Sequence, residues 1–190
     1  MRLENNWSLQ PAGNLERSFA HGGSTRMLVV EHRTPAIYHA TRVYLRRLDA
    51  IQSGFLKDIG VDDVTALVEF HLAPLCTRRD MAMLGLIHRT ALGKGPPQFQ
   101  KYSKKYNNDL TLHDPRVGSR SPLIKRSALG LVAVYNLLPH SIRAAKSVPA
   151  FQKSLQEIVK KYATSGYPQW SDVLSPRLAL TSHPLATQFQ

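Results

Sequence analysis

Cysteine is scarce in this sequence, and its scarcity excludes two classes of small-domain architecture. The 190 residues contain a single cysteine, Cys76. One thiol can form no internal disulfide framework, and it cannot supply the paired cysteines of a structural zinc site. The histidines at 39, 113, 140 and 183 are scattered without the spacing of metal ligands. We therefore expect a protein of a reducing compartment that has no metal site and no cofactor.

Long apolar runs are also missing, which excludes a membrane-spanning segment. The longest nearly apolar stretch, residues 128–138, is too short to cross a bilayer. Near the N-terminus, Glu4, Asn5 and Asn6 stand where a signal peptide needs its apolar stretch. We expect a soluble intracellular protein, nuclear or cytoplasmic, that is not secreted and has no membrane partner and no evident small-molecule substrate.

Acidic residues are the third shortage, because 13 of them stand against 25 lysines and arginines, for a formal net charge of +12. Residues 121–190 supply half of this excess. A field of that sign attracts polyanions, and nucleic acid is the commonest polyanion inside cells. Charge alone leaves open a protein whose lysines are merely solvated.

The apolar pattern predicts a mainly α protein, a small irregular helical bundle with a basic loop and flexible termini. Residues 37, 41, 44, 48, 51, 55 and 59 recur in steps of three and four and describe one face of a helix. That helix begins at Thr34-Pro35 and stops at Gly60. Asp62 or Asp63 predicts the cap of a second, shorter helix that runs through Phe70.

Caps and periodicity predict three more helices. Residues 77–80 have the spacing of a loose capping box, and the helix that follows has an inner face formed by Met81, Leu84, Ile87, His88 and Ala91. Ser127 can cap a helix to about residue 138, although the apolar run 129–134 equally fits a buried strand. Ser147 caps the last helix, with Pro149 in its first turn and a buried stripe formed by Phe151, Leu155, Ile158 and Tyr162.

These signals divide the chain into five parts. They are a lead-in at 1–33, a loop or partly disordered; a helical region at 34–93; a basic connection at 94–122; a C-terminal helical region at 123–165; and a tail at 166–190. The tail is rich in proline and serine, and we expect it to lack packing of its own.

Two groups of residues invite a catalytic interpretation. Asp62 and Asp63 are adjacent, as are carboxylates that bridge Mg²⁺ in nucleotidyl transferases, but the interpretation we favour is a helix cap and an acidic first turn. Cys76 with His71 or His88 suggests a thiol nucleophile, although the sequence offers no third group to orient the pair. The structural alternative is a half-buried cysteine beside a helix-face histidine.

Basic and aromatic residues interleave between residues 94 and 143, a pattern typical of backbone pairing and base stacking on nucleic acid. The aromatic members are Phe99, Tyr102, Tyr106 and Tyr135. The alternative is a solvated loop whose tyrosines fold onto the core. Charge density makes six residues the candidates for phosphate contact, Lys101, Lys104, Lys105, Arg120, Lys125 and Arg126.

Three segments resemble the thumb and post-thumb region of non-LTR retrotransposon reverse transcriptases. LDAIQSGFL at 48–56 is similar to that family's Leu-Asp-x-Val/Ile-Gln-x-x-Phe-Leu pattern, and residues 72–99 resemble the helix pair that follows it. Tyr135 to Ile142 and Ser147 to Phe151 are similar to its C-terminal Trp-Asn-x-Leu-Pro-x-x-Ile and Ser-Leu-x-x-Phe patterns, with Tyr135 in place of Trp. The resemblance covers roughly residues 30–163.

The resemblance implies a fragment of an RNA-directed DNA polymerase that grips an RNA or RNA–DNA duplex backbone without catalysis. The family's Tyr/Phe-x-Asp-Asp motif lies in a palm before the thumb, whereas Asp62 and Asp63 follow the thumb-like helix and Gly60 stands at the motif's aromatic position. Two alternatives remain. One is a structural or interaction module, or a relic without a nucleic-acid partner, and the other is an active polymerase that uses Asp62 and Asp63.

Overall fold

The computed structural model describes residues 42–100, 111–115, 117, 127–176 and 178–188. Its elements are helical, which confirms the prediction of a mainly α protein. In chain order they are α1 (Arg42–Asp58), α2 (Asp63–Val68), α3 (Leu75–Ala91), α4 (Pro97–Gln100), α5 (Val132–Leu137), α6 (His140–Arg143), α7 (Val148–Thr164) and α8 (Pro184–Gln188), with 3₁₀ turns at Ala128–Leu131, Trp170–Asp172 and Leu180–Ser182. No described helix combines the length and the apolar content that crossing a bilayer requires.

Helices α3 and α7 form the centre of the bundle, and α1, α5 and the first 3₁₀ turn pack around α3. The five residues predicted for the inner face of α3 are all buried, and so are the four of the α7 stripe. Where the two helices meet, a Cβ on Gly85 would lie 2.6 Å from Nε2 of Gln152. Glycine at this position therefore allows the close approach of α3 to α7.

Most of the predicted helix ends are confirmed. The side chains of Asp62, Ser127 and Ser147 each accept hydrogen bonds from backbone N–H groups at the start of a helical segment. Gly60 and Gly93 follow α1 and α3 with positive φ angles of 69° and 76°, a conformation that glycine adopts without strain. The ambiguous apolar run after Ser127 is helical.

The predicted capping box at residues 77–80 is wrong, because α3 begins three residues earlier than a cap at Thr77 implies. Its N-cap is Pro74, which makes no side-chain capping bond. Thr77 lies inside the first turn, and its hydroxyl donates instead to the carbonyl oxygen of Ser171 at 2.8 Å. The pattern assigned the Thr77 side chain to the helix cap, but its partner lies far along the chain. Local spacing could not reveal such a contact.

The apolar face predicted for the first helix exists but faces solvent. Its described members, named here the α1 stripe, are Tyr44, Leu48, Ile51, Phe55 and Ile59, and their exposed fractions run from 42% to 70%. Helix α1 packs on the bundle through a neighbouring face that holds Leu45, Asp49, Gln52 and Leu56. The periodicity identified a real face, but the bundle does not cover it.

The prediction that the tail lacks packing of its own is wrong for the described part of residues 166–188. Val173, Leu174 and Leu185 are fully buried and belong to the main hydrophobic core. The hydroxyl of Tyr162 donates to the carbonyl oxygen of Pro184 at 2.9 Å, which ties the tail to α7. Proline and serine serve here in short helical turns that bring isolated apolar residues into the core.

Candidate nucleic-acid interface

The six cations predicted to contact phosphate lie outside the described residues. Lys101, Lys104 and Lys105 belong to the segment 101–110, while Arg120, Lys125 and Arg126 belong to the segment 118–126. Tyr102 and Tyr106 lie outside the described residues as well. The structure does describe the residues that flank these two segments, which we name the basic segments, and those residues define how each one joins the bundle.

The first basic segment leaves the bundle at α4. Phe99, the last aromatic residue before it, is partly buried and packs against the main core. Just before α4, a Cβ on Gly95 would lie 2.6 Å from Cα of Thr90, so this turn lies directly on the end of α3. Lys94 is exposed beside it, and its carbonyl oxygen accepts a hydrogen bond from Nε of Arg89 at 3.0 Å.

The chain between the two basic segments is held by a side-chain clamp. Oδ1 of Asn136 in α5 accepts a hydrogen bond from the backbone N–H of Leu112 at 2.9 Å. Nδ2 of the same amide donates to the carbonyl oxygen of Leu112 at 2.8 Å. Leu112 itself is 2% exposed and belongs to the core. We name this pair the Asn136–Leu112 clamp, and it fixes the middle of the basic connection to the bundle.

A buried arginine reinforces the clamp. Nη1 of Arg143 donates to Oγ1 of Thr111 at 2.8 Å, and its Nε donates to the carbonyl oxygen of Leu138 at 2.9 Å. The residue is 8% exposed. Arg143 therefore acts as a structural cation that joins the connection to the α5–α6 turn, and its guanidinium is not presented to a phosphate.

Tyr135, which the sequence offered as a stacking platform, is instead part of the core. It is fully buried, and its hydroxyl lies 3.1 Å from Nδ1 of His88. Nε2 of His88 lies 2.9 Å from the carbonyl oxygen of Ala145, so this nitrogen carries the proton and Nδ1 accepts from the tyrosine. The His88 ring stacks on Phe151, with centroids 4.1 Å apart and planes inclined by 8°. The stacking prediction is therefore wrong for Tyr135.

Burial controls the protonation of this aromatic cluster. Removal from water lowers the pKa of His88 below its ordinary value and raises the pKa of Tyr135 to about 12. Both groups are therefore neutral around pH 7, as the hydrogen bonds between them require. A neutral, fully enclosed histidine has the properties of a core residue.

Polar contacts attach α1 to α3. Nη2 of Arg79 lies 2.8 Å from the carboxylate of Asp49, and Nη2 of Arg78 donates to Oε1 of Gln52 at 2.7 Å. Nε2 of Gln52 also donates to the carbonyl oxygen of Ala73 at 3.2 Å. Burial lowers the pKa of Arg78, although arginine stays charged at any physiological pH. Two of the basic residues in α3 are thus engaged within the bundle.

The acidic pair at 62–63 has the geometry of a helix cap. Oδ1 of Asp62 accepts from the backbone N–H groups of Val64 and Thr65 at 2.9 and 3.0 Å, and Oδ2 accepts from the Thr65 hydroxyl at 2.6 Å. The Thr65 hydroxyl, with these backbone bonds, lowers the pKa of the Asp62 carboxyl. Across the described ranges, no three His, Cys, Asp or Glu residues form a group able to hold a metal ion.

Cys76 lies in the first turn of α3 and lines a shallow cavity of about 330 Å³ with Asp49, Asp63 and Trp170. Burial raises the pKa of its thiol, so the thiolate is disfavoured at neutral pH. His88 stands twelve residues further along the same helix, a separation of about 18 Å. Cys76 and His88 therefore form no nucleophile and base pair.

The outer face of α7 offers a second group of cations, within the described part of the chain. Lys153 and Lys161 are exposed and Lys160 is half-buried, and the exposed carboxylate of Glu157 stands between them. Such a mixed face is typical of a solvated helix. Lys153, Lys160 and Lys161 are therefore solvated lysines with which the lysines of the basic segments can be compared.

Sequence reasoning missed the Asn136–Leu112 clamp. An asparagine inside an apolar stretch carries no sign of its partner 24 residues earlier. No protein-family model, no curated protein and no solved structure matches the chain.

Proposed function

We propose that the chain binds the backbone of an RNA or RNA–DNA duplex and catalyses no reaction, as a thumb and post-thumb fragment of a non-LTR reverse transcriptase would. The contacts to phosphate come from Lys101, Lys104, Lys105, Arg120, Lys125 and Arg126. The observation that carries the proposal is the Asn136–Leu112 clamp, which anchors the chain between the two basic segments to the bundle.

Anchoring matters because affinity for a polyanion depends on how many cations reach it together. A charged segment fixed at its ends keeps its cations near one another and loses less conformational entropy on binding than a free tail. The first segment joins the bundle through Phe99 and Thr111, and the second joins it before the Ser127 cap. The first segment therefore begins and ends at fixed points, and the second ends at one.

The three family-like motifs also contact one another through α3, which supports the lineage. Asp49 and Gln52 of the first motif bind Arg79 and Arg78 of the second. His88 of the second motif contacts both Tyr135 and Phe151 of the C-terminal motifs. Residues that meet in this way form one structural unit, as they would within a single ancestral domain.

A salt titration of binding to a mixed-sequence RNA–DNA duplex tests the proposal. Each phosphate contact contributes about 0.9 to the slope of log K against log salt concentration on duplex DNA. Replacement of Lys101, Lys104 and Lys105 by alanine should weaken binding and reduce the magnitude of the slope by about 2 to 3. The matched control replaces Lys153, Lys160 and Lys161 of α7 with alanine, which removes the same charge from a described, solvated face.

The outcomes separate specific contact from bulk charge. Loss of affinity in the 101/104/105 variant alone supports the proposal. Equal losses of affinity in both variants would mean that binding depends on net charge alone. A chain with no affinity for the duplex at low salt would refute the proposal. Asn136→Ala keeps every cation, so a weakened affinity in this variant would identify the clamp as part of the interface.

The exposed α1 stripe favours a second candidate function, an interaction module. An uncovered apolar helix face is the usual mark of a protein contact. If the chain shows no affinity for nucleic acid in the titration, the interaction module replaces the first proposal.

For the polymerase alternative, primer extension with Mg²⁺ should give no product. If product did form, and if replacing Asp62 and Asp63 with alanine abolished it, the chain would be an enzyme.

A further inference from the structure

The α1 stripe is the largest apolar feature that the described bundle leaves uncovered. Ile51 is 70% exposed, and Tyr44, Phe55 and Ile59 are each more than half exposed. On the helix the stripe runs from residue 44 to residue 55, which corresponds to about 17 Å, and Ile59 extends it into the turn that follows α1. Monomeric soluble proteins rarely expose an apolar strip of this continuity, and such a strip usually contacts another molecule.

The spacing of the stripe is that of a helix-pairing seam. Tyr44, Leu48, Ile51 and Phe55 follow one another in steps of four, three and four residues, the alternation that places side chains at the a and d positions of a coiled coil. A stripe that docks on a flat or broad surface has no need of this alternation, because its apolar face is wider. The spacing therefore favours another helix as the occupant.

Charges beside the seam identify which helix. Arg47 lies on the edge of the stripe, with its guanidinium 5.9 Å from the centroid of the Tyr44 ring. Asp58 lies seven residues after Ile51 and three after Phe55, so it occupies the next d position of the seam, toward the same edge as Arg47 and at the other end of α1. Both residues are exposed. One edge thus carries a cation at one end and an anion at the other.

We propose that α1 pairs antiparallel with α1 of a second copy of this chain along the α1 stripe. In this orientation Arg47 of each copy lies near Asp58 of the other, so two attractive pairs form. A parallel pair would bring Asp58 near Asp58 at a d position and would leave the two Arg47 side chains on opposite sides of the seam, so no attractive pair would form. The charge pattern is self-complementary only when the helices run in opposite directions.

The area available suits a weak, concentration-dependent dimer. Since aromatic side chains alone bury roughly 150–250 Å² each, covering the stripe removes on the order of 600 Å² per copy from water. A standard interface buries about 800 Å² per partner. We expect dissociation constants on the order of micromolar.

Sedimentation equilibrium of the full chain, freed of nucleic acid by nuclease treatment, tests the dimer. Ile51→Glu places a charge at the centre of the seam and should raise the dimer dissociation constant at least tenfold. Val43→Glu is the matched control, because Val43 is 60% exposed on the same helix but lies outside the seam. It should leave the dissociation constant within about twofold of the wild-type value.

Charge reversal tests the orientation. Arg47→Glu alone, or Asp58→Arg alone, should raise the dissociation constant roughly threefold to tenfold, and the double variant should restore it. In a Cys76→Ser background, a mixture of Arg47→Cys and Asp58→Cys chains should form a mixed disulfide, whereas neither chain alone should do so. Cross-linking of Arg47→Cys chains with each other would contradict the antiparallel register that places Arg47 near Asp58.

Three results would overturn the antiparallel dimer along the α1 stripe. They are a monomer at every concentration, a dimer that Ile51→Glu leaves intact, and cross-linking of Arg47→Cys chains with each other. A chain that stays monomeric but binds neutral phospholipid vesicles, and loses that binding in Ile51→Glu, would assign the stripe to a membrane surface instead.

Discussion

Helices α1 and α7 are each 17 residues long and amphipathic, yet the bundle treats their apolar faces in opposite ways. The α7 stripe of Phe151, Leu155, Ile158 and Tyr162 is buried to 8% exposure or less. The α1 stripe is exposed, and α1 attaches through Asp49 and Gln52 on a neighbouring face. Periodicity reveals that a helix has an apolar face, but what covers that face depends on the rest of the molecule or on a partner.

The largest expected effect on stability comes from replacing one phenylalanine in each of the two stripes. Phe151→Ala should lower the free energy of unfolding by about 3–5 kcal/mol, because the ring is fully buried and stacks on His88. Phe55→Ala should change it by no more than about 0.5 kcal/mol at low protein concentration. Urea denaturation of both variants measures the difference, and equal losses would mean that the two stripes are equally covered.

The polar attachment of α1 should have the next largest effect. Asp49→Ala removes the partner of Arg79, whose side chain is 8% exposed, while the Asp49 side chain itself is 31% exposed. We expect a loss of about 2 kcal/mol, less than for a fully buried ion pair because water already screens the carboxylate. Asp58→Ala on the same helix is the control in urea denaturation at low protein concentration, where the proposed dimer is dissociated, and a similar loss there would argue against a specific contact.

The Asn136–Leu112 clamp should have a smaller and more local effect. Asn136→Ala leaves the N–H and the carbonyl oxygen of Leu112 without their partner, at a cost of about 1–2 kcal/mol. Amide hydrogen exchange should accelerate at Leu112 more than within α7. Acceleration of exchange throughout the bundle would mean that the clamp is a global rather than a local support.

The smallest expected effect is a pH dependence of the free energy of unfolding, which comes from two buried histidines. Burial lowers the pKa of His88 and of His183 in the folded state, so the unfolded chain binds protons more readily. Stability is then complete above the unfolded-state pKa of about 6.5 and falls as the pH drops below it, by at most about 1.4 kcal/mol per pH unit for each group. The slope between pH 6.5 and 5.5 should decrease in His88→Gln, which can still donate to Ala145. An unchanged slope would exclude His88 as a source.

Local sequence signals were sufficient for most of the helix ends and for the inner faces of α3 and α7. Asp62, Ser127, Ser147, Gly60 and Gly93 act within a few residues of themselves, so their roles are legible in sequence. The burial of the tail, the role of Thr77 and the Asn136–Leu112 clamp depend on partners far along the chain. Such contacts leave no periodic signal.

The candidate site shows the same difference between features set by local sequence and features set by long-range contacts. Its charge and its six cations could be read from composition, whereas its anchor could not, because Asn136 looks like an ordinary polar residue in an apolar stretch. Tyr135 shows the converse error, since an aromatic residue beside cations looks like a stacking platform until its hydroxyl is found on His88. Burial decides which of the two readings applies.

Lysine reactivity footprinting with and without a bound RNA–DNA duplex tests the central claim most directly, because every lysine is compared within one chain. The account predicts that Lys101, Lys104, Lys105 and Lys125 become protected on binding, while Lys153, Lys160 and Lys161 of α7 keep their reactivity. Protection of the α7 lysines with the basic segments unprotected would contradict it.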